Sequence, residues 1–324
     1  MVTPVVRLPC TLVRKYSQHN YTHQIPLPWH TAVWPTTRLR PIHRAFSALV
    51  RRELVDALRA KSIFTPNQVQ EDALRLALRG ETVMCVAQTG AGKTLISLLP
   101  LLERISSLPA VRDYVTPDAL LLVPSNVLAA QHTAVARDLA AALSVPPVVQ
   151  NLSQASCTSA EEEQSTGEKP HSGLLAISTP TEVLRRAHDG LLDMSRVGVV
   201  AVDEVDAILC SQSPYDEALS PEGVALLETI EQHREGRGGA LGSVAQSTRF
   251  AGTQLQYLLT TAMLTRAHDA ALAARFSKAG LSVVRQQAGA NGRVGVLVPS
   301  MRQRFHYVKR DRKDATLLRV LERV

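Results

Sequence analysis

Seven short apolar runs punctuate the chain, at residues 82–87, 119–123, 146–150, 174–178, 197–202, 256–261 and 281–284. They are nearly continuous rather than alternating. Val197-Gly198-Val199-Val200-Ala201-Val202 is the clearest case. Continuous apolar runs of this length are what strands covered on both faces require. Between them lie stretches with helical spacing, at 94–106, 127–143, 181–192, 222–233 and 265–279. The alternation predicts an α/β fold with a parallel sheet covered by helices. Upstream, Leu49, Leu54 and Leu58 fall on one helical face. Two segments break the pattern. Residues 153–172 are rich in Ser and Glu, with Glu161-Glu162-Glu163, and read as a solvated surface loop. Residues 235–248 are rich in glycine and poor in large apolar side chains, and read as an insertion.

The first apolar run leads into Ala87-Gln88-Thr89-Gly90-Ala91-Gly92-Lys93-Thr94. Strand, glycine-rich loop and helix follow in the order of a phosphate-binding loop. Gly90 and Gly92 let the backbone turn its N–H groups toward phosphate oxygens. Lys93 is placed to reach the β- and γ-phosphates, and the Thr94 hydroxyl to ligate Mg²⁺. Leu95-Ile96-Ser97-Leu98-Leu99 begins a helix whose N-terminal dipole favours negative charge. The first position is Ala87 where the strict pattern has Gly, so only the Gly-Lys-Thr half is met in full.

The 197–202 run ends in Asp203-Glu204-Val205-Asp206. In a parallel sheet, carboxylates at the C-terminal end of a strand sit where ligands bind. Asp203 is expected to hold Mg²⁺, mostly through water, because this ion keeps several waters. Glu204 is expected to orient and deprotonate the attacking water.

These two motifs make the chain resemble the N-terminal RecA-like lobe of a DEAD-box RNA helicase, over residues 46–320. Phe64-Thr65-Pro66-Asn67-Gln68-Val69-Gln70 resembles the family's adenine-reading motif. The resemblance implies that Gln70 reads the base, that Phe46 packs over it, and that ATP is preferred to GTP. Pro124-Ser125-Asn126-Val127-Leu128-Ala129-Ala130-Gln131 and Thr179-Pro180-Thr181-Glu182 resemble two motifs that touch the RNA backbone. They imply RNA contacts from Pro124, Ser125, Gln131, Thr179 and Pro180. The family's Arg and Glu have become Asn126 and Val127 in the first motif. The second motif's Arg has become Glu182, a reversal of charge. The paired glycines expected near Gln150-Asn151-Leu152 are not found. Thr261-Ala262-Met263 resembles Ser-Ala-Thr, which implies that Thr261 and Ala262 couple hydrolysis to lobe movement through Asp206. The last hydroxyl of that triplet is lost in Met263.

The ATP motifs are thus kept while the RNA and coupling motifs are altered. The expected consequence is weaker RNA affinity with a shallower salt dependence. His233-Arg234-Glu235-Gly236-Arg237 resembles the family's arginine-finger motif, but it lies between the acidic turn and Thr261. It reads as a chance match in a flexible loop. Residues 304–308 and 313–321 resemble the first strand and helix of the family's second lobe. On that reading the domains are a basic segment at 1–45, an ATP-binding lobe at 46–298 and the start of a second lobe at 299–324. The rest of that lobe, with its arginine fingers, would be missing. The chain alone is then expected to bind ATP weakly and to hydrolyse it near background, since an arginine finger is worth about 10³–10⁵ in rate.

Composition adds compartment and partner. The net charge of +7 is unevenly placed. Residues 1–52 hold eight Lys and Arg and no Asp or Glu, so the remainder carries 28 basic against 29 acidic residues. An acid-free, Arg-containing N-terminus with Ser and Thr is expected of a transit peptide. It predicts mitochondrial location, with a basic RNA-touching arm or an inert tail, in a cytoplasmic or nuclear protein, as the alternatives. The four cysteines (Cys10, Cys85, Cys157, Cys210) lack metal-ligand spacing and are expected as reduced thiols. No apolar run is long enough to span a bilayer, so no membrane partner is expected. The leading functional expectation is an ATP-dependent RNA helicase that uses ATP and Mg²⁺, with a possible ribosome or RNA–protein particle of an organelle as partner. The alternative is a non-catalytic ATP-binding docking module in such a particle.

Overall fold

The computed structural model describes residues 45–108, 116–154, 171–212, 218–235, 254–286, 308 and 313–321. All of these belong to one compact unit running from Ile42 to Val324. The basic segment at 1–44, most of the Ser/Glu-rich stretch and nearly all of the glycine-rich stretch lie outside the described residues.

Seven strands form one sheet: β1 (Val83–Val86), β2 (Ala119–Leu122), β3 (Val148–Asn151), β4 (Leu174–Ser178), β5 (Val199–Asp203), β6 (Gln256–Thr261) and β7 (Ser282–Arg285). Their order is β3-β4-β2-β5-β6-β1-β7. Every pairing is parallel. The helices are α1 (Arg52–Ala60), α2 (Gln68–Ala77), α3 (Lys93–Ser106), α4 (Asn126–Ala140), α5 (Pro180–His188), α6 (Val205–Ile208), α7 (Pro221–Glu235), α8 (Arg266–Arg275) and α9 (Lys313–Leu321).

All seven apolar runs are strands, and the physical reason is double burial. Successive side chains of a strand point to opposite faces. Ala119, Leu121, Val199, Ala201, Leu175 and Ile177 join one apolar cluster with α1 to α4. Leu120, Leu122, Val200, Val202 and Ala176 join a second with α7 and α8. A strand fully buried on both faces has no polar phase, hence the continuous runs. Of the three leucines read as one helical face, Leu54 and Leu58 are completely buried on α1 in the first cluster, whereas Leu49 precedes that helix and is only partly buried against the same cluster. A buried pair ties the N-terminal ends of the strands together, where Arg196 Nη2 lies 2.8 Å from Asp118 Oδ1.

The strand order decides the site. β6 separates β1 from β5, and the three end flush: Val86 pairs with Thr261, and Asp203 pairs with Thr260. The loop after β1 and the acidic turn after β5 therefore flank the C-terminal end of β6. Crevices beyond the carboxyl ends of such strands are where open α/β sheets take their ligands.

Candidate nucleotide site

The phosphate loop is built on two left-handed glycines, Gly90 at φ +84° and Gly92 at φ +76°. Gly92 also caps α3. A Cβ on Gly92 would lie 2.2 Å from Gln70 Nε2, whereas one on Gly90 would meet nothing within 4 Å. Lys93 Nζ turns back over the loop and donates to the carbonyls of Ala87 (2.9 Å) and Gln88 (3.2 Å). The Ala87 N–H donates to Thr261 O at 3.0 Å, and the Ala91 N–H to Gln88 O at 3.2 Å. Thr89 is exposed, and Thr94 is half-buried in the first turn of α3.

Gln70 and Asn67 sew this loop to the start of α2. They form a capping box, in which Asn67 Oδ1 accepts from the Gln70 N–H and Gln70 Oε1 from the Asn67 N–H. Asn67 Nδ2 then donates to Ala91 O at 2.9 Å, and Gln70 Nε2 to Gly92 O at 3.2 Å. The Gln70 amide, expected to read the base, is thus buried with both ends engaged by the protein. Phe46, expected to pack over the base, lies in the core. Its ring is 1% exposed and packs in the first apolar cluster, so it offers no free face to a base. The aromatic opens a short 3-10 turn, Phe46–Ala48, just ahead of α1, and packs in the cluster that holds Leu54 and Leu58.

Asp203 is clasped from both sides. Its Oδ1 accepts from Thr260 Oγ1 at 2.6 Å and from the Glu204 N–H at 3.1 Å. Its Oδ2 lies 2.9 Å from His132 Nε2. The other ring nitrogen, Nδ1, is 2.9 Å from Leu128 O, and a carbonyl can only accept. Burial opposes a charged imidazole, but the hydrogen bond and charge of Asp203 outweigh it and raise the His132 pKa. Burial likewise raises Asp203, yet the bonds from His132 and Thr260 prevail and hold it below the ordinary carboxylate value. Glu204 moves the other way: partial burial, then the charges of Asp203 and Asp206, push it up. A raised carboxylate pKa suits a group that must take a proton. Glu204 also sits in the left-handed region, at φ +57°. Non-glycine residues there incur strain of about 1–3 kcal/mol, and such strain clusters at functional sites.

The expected coupling residues meet. Thr261 Oγ1 donates to Asp206 Oδ1 at 2.6 Å and accepts from the Met263 N–H at 3.3 Å. Ala262 and Met263 are exposed beside them.

The expected RNA-facing residues lie at the C-terminal ends of β2 and β4. Ser125 caps α4 by accepting from the Leu128 N–H at 3.3 Å. Asn126, Val127 and Gln131 are exposed, and Pro124, Thr179 and Pro180 are half-buried. The reversed charge at Glu182 is locally compensated, because its carboxylate pairs with Arg185 (2.7 Å) and Arg186 (2.6 Å). Hydrogen bonding from Arg185 and then Arg186 outweighs burial and pulls its pKa down to about 2. His233, Arg234 and Glu235 are the last turn of α7 rather than part of a loop, and Gly236 and Arg237 lie outside the described residues.

Three site residues escaped the sequence reading: His132, Thr260 and Gln286. Gln286 Oε1 accepts from the Gln88 N–H at 2.9 Å, from the end of the neighbouring strand β7. Thr260 was legible in principle, as the neighbour of Thr261. His132 and Gln286 carry no local signal, since their partners are distant in sequence.

The donor set fits a hard divalent cation. Thr94 and Asp203 are the oxygens expected to hold it, and among the described residues no group of three or more His, Cys, Asp or Glu forms a cage. Mg²⁺ is commonly held this way, by one or two protein oxygens with phosphates and water.

Residues 67–219 match a family model described as DEAD/DEAH box helicase. The "Probable ATP-dependent RNA helicase DDX28" of Homo sapiens is 32% identical over 152 residues, covering 46% of this chain and 27% of that protein. The "ATP-dependent RNA helicase DBP9" of Cryptococcus neoformans is 29% identical over 169 residues, covering 51% of this chain and 26% of that protein. Among solved structures, the RNA helicase Prp28 from Chaetomium thermophilum bound to ADP aligns with a TM-score of 0.49 and 22% identity, over 84% of this chain and 55% of that one. The chain spans about a quarter of the length of these two curated relatives.

Proposed function

We propose that the chain is the nucleotide-binding lobe of an ATP-dependent RNA helicase, a reading supported by the match of residues 67–219 to the DEAD/DEAH box helicase model. The observation that carries this reading is the convergence of the phosphate loop, Asp203-Glu204 and Thr261 at the flush ends of β1, β5 and β6. When bound, Mg²⁺ neutralises developing charge on the β- and γ-phosphates. Thr94 and Asp203 are the residues that would hold it. Lys93 leaves the Ala87 and Gln88 carbonyls to pair with phosphate oxygens. The N–H groups of the loop and the first turn of α3 complete the cradle. Glu204 takes the proton of the attacking water, its raised pKa making it the better base. Asp206 and Thr261 carry the state of this turn to β6, whose end also bonds the phosphate loop through Ala87.

RNA is assigned to the surface at the ends of β2 and β4, where Pro124, Ser125, Gln131, Thr179 and Pro180 lie. Its grip there is weak, since Asn126, Val127 and Glu182 supply no free positive charge. The acid-free N-terminal segment supports a mitochondrial location, and hence RNA or an RNA–protein particle of that organelle as the partner.

The test is equilibrium binding of a fluorescent ATP analogue to the purified chain, with and without Mg²⁺. Saturable binding that tightens with Mg²⁺ and is abolished in Lys93→Ala supports the reading. Failure to bind, or equal binding by Lys93→Ala, refutes it.

A further inference from the structure

We propose that His132 is a positioning residue for the metal-facing carboxylate of Asp203, and that it ties that carboxylate to the helix whose start faces RNA. This inference rests on the nucleotide-site reading above and adds a residue that the family match does not supply.

Asp203 ends β5 and is 7% exposed, so its carboxylate orientation is set by protein contacts rather than by water. Thr260 and the Glu204 N–H fix one oxygen. Without a second hold, the carboxylate could still rotate about that anchor. His132 provides the hold, with Nε2 at 2.9 Å from Oδ2. The imidazole is itself locked: it is 5% exposed, and Nδ1 is bonded to Leu128 O one turn back on α4. A ring bonded at both nitrogens cannot swing without losing a bond. A buried histidine in the first cluster's helix would otherwise be a poor choice for α4, where an apolar residue would pack without a polar cost. The polar cost is offset by the bonds to Leu128 O and Asp203, and of these only the second reaches outside α4.

The same ring joins two functional surfaces. His132 directly follows Gln131 and lies two turns from Ser125, both assigned to RNA. A shift of α4 against the sheet therefore reaches Asp203 through one hydrogen bond. Residues that orient a metal-facing group in this way typically matter by about 10–100-fold in metal affinity when removed.

The experiment measures the Mg²⁺ concentration at which fluorescent ADP binding to the whole chain is half-enhanced, together with nucleotide affinity in EDTA. In His132→Leu the midpoint is expected to rise about 10-fold or more, with affinity in EDTA unchanged. In His132→Gln, whose amide reaches a similar distance and can donate, the midpoint is expected to stay near that of the unsubstituted chain. A His132→Leu midpoint equal to the unsubstituted one overturns the proposal. So does a His132→Gln midpoint as high as that of His132→Leu, which would make the role one of packing. Should His132→Leu not fold, as judged by circular dichroism, His132→Asn takes its place, since its amide is too short to reach Oδ2. If the unsubstituted chain bound no nucleotide at all, the nucleotide-site reading itself would fall. If it bound in a Mg²⁺-dependent way while the variants matched it, only the role of His132 would fall.

Discussion

Gly92 and Gly90 are the same residue in nearly the same backbone region, yet they are not equally replaceable. Both are left-handed, so an alanine at either incurs about 1–2 kcal/mol of backbone strain. Only at Gly92 does the new Cβ also collide with Gln70 Nε2, the amide that joins α2 to the phosphate loop. Gly92→Ala is therefore expected to destabilise the fold more than Gly90→Ala, and to lower nucleotide affinity as well. Chemical denaturation and nucleotide titration of the two variants check this, and equal losses would contradict it. Glu204 presents the opposite case, a long side chain held at φ +57° where glycine would be at ease. Glu204→Gly is expected to cost no stability in a thermal melt, although glycine elsewhere costs about 0.5–1 kcal/mol. A clear destabilisation would show that this backbone is not strained. At this scale the sequence was legible where a residue acts with its chain neighbours, as in the phosphate loop and Asp203-Glu204. It was silent where the partner is remote. Nothing beside His132 or Gln286 announces a bond to Asp203 or to Gln88. Phe46 shows the converse, since the same spacing suits a base-stacking ring and a core ring, and the sequence alone does not give its burial in the first cluster.

Among the elements, the strands were the most legible, because burial on both faces erases the polar phase and leaves runs such as Val197–Val202. Helix starts were legible too, each observed start falling within one residue of the expected one, but surface pairing was not. α5 begins at Pro180 and carries Glu182, Arg185 and Arg186 on its surface, and their pairing depends on side-chain geometry that a charge pattern alone does not give. That pairing has a pH signature. Glu182's folded pKa, about 2, lies below its ordinary value of 4.5. Its contribution to stability is then complete above about 4.5 and fades as pH falls toward about 2. Glu182→Gln is expected to be less stable than the unsubstituted chain at neutral pH, with the difference shrinking through that acid window. A difference that stays constant down to pH about 2 would contradict the pairing. Between β5 and β6, the Thr261–Asp206 bond has the distance of a strong contact. Thr261→Val keeps the shape of the side chain and removes the hydroxyl. It is expected to leave nucleotide affinity nearly unchanged while lowering RNA-stimulated hydrolysis in a protein that contains both lobes. A fall in nucleotide affinity alone would assign Thr261 to binding instead of coupling.

For the whole molecule, charge is the organising fact. The positive balance resides in residues 1–52, and the remaining chain is close to neutral. The remaining chain brings no net positive charge to nucleic acid, and the salt dependence of its binding is expected to be shallow. Removing residues 1–45 is expected to reduce RNA binding if that segment acts as an arm, and to leave it unchanged if the segment only directs import. A reporter carrying residues 1–52 is expected to enter mitochondria, and cytosolic fluorescence would contradict the targeting reading. The central claim is that one sheet end, built from the ends of β1, β5 and β6, binds ATP with Mg²⁺. The most direct measurement is a titration of the purified chain with a fluorescent ATP analogue at fixed, varied Mg²⁺ concentrations. The account predicts saturable binding that tightens with Mg²⁺, weakens in Asp203→Asn only when Mg²⁺ is present, and disappears in Lys93→Ala. Binding that ignores Mg²⁺ and survives both substitutions would contradict it.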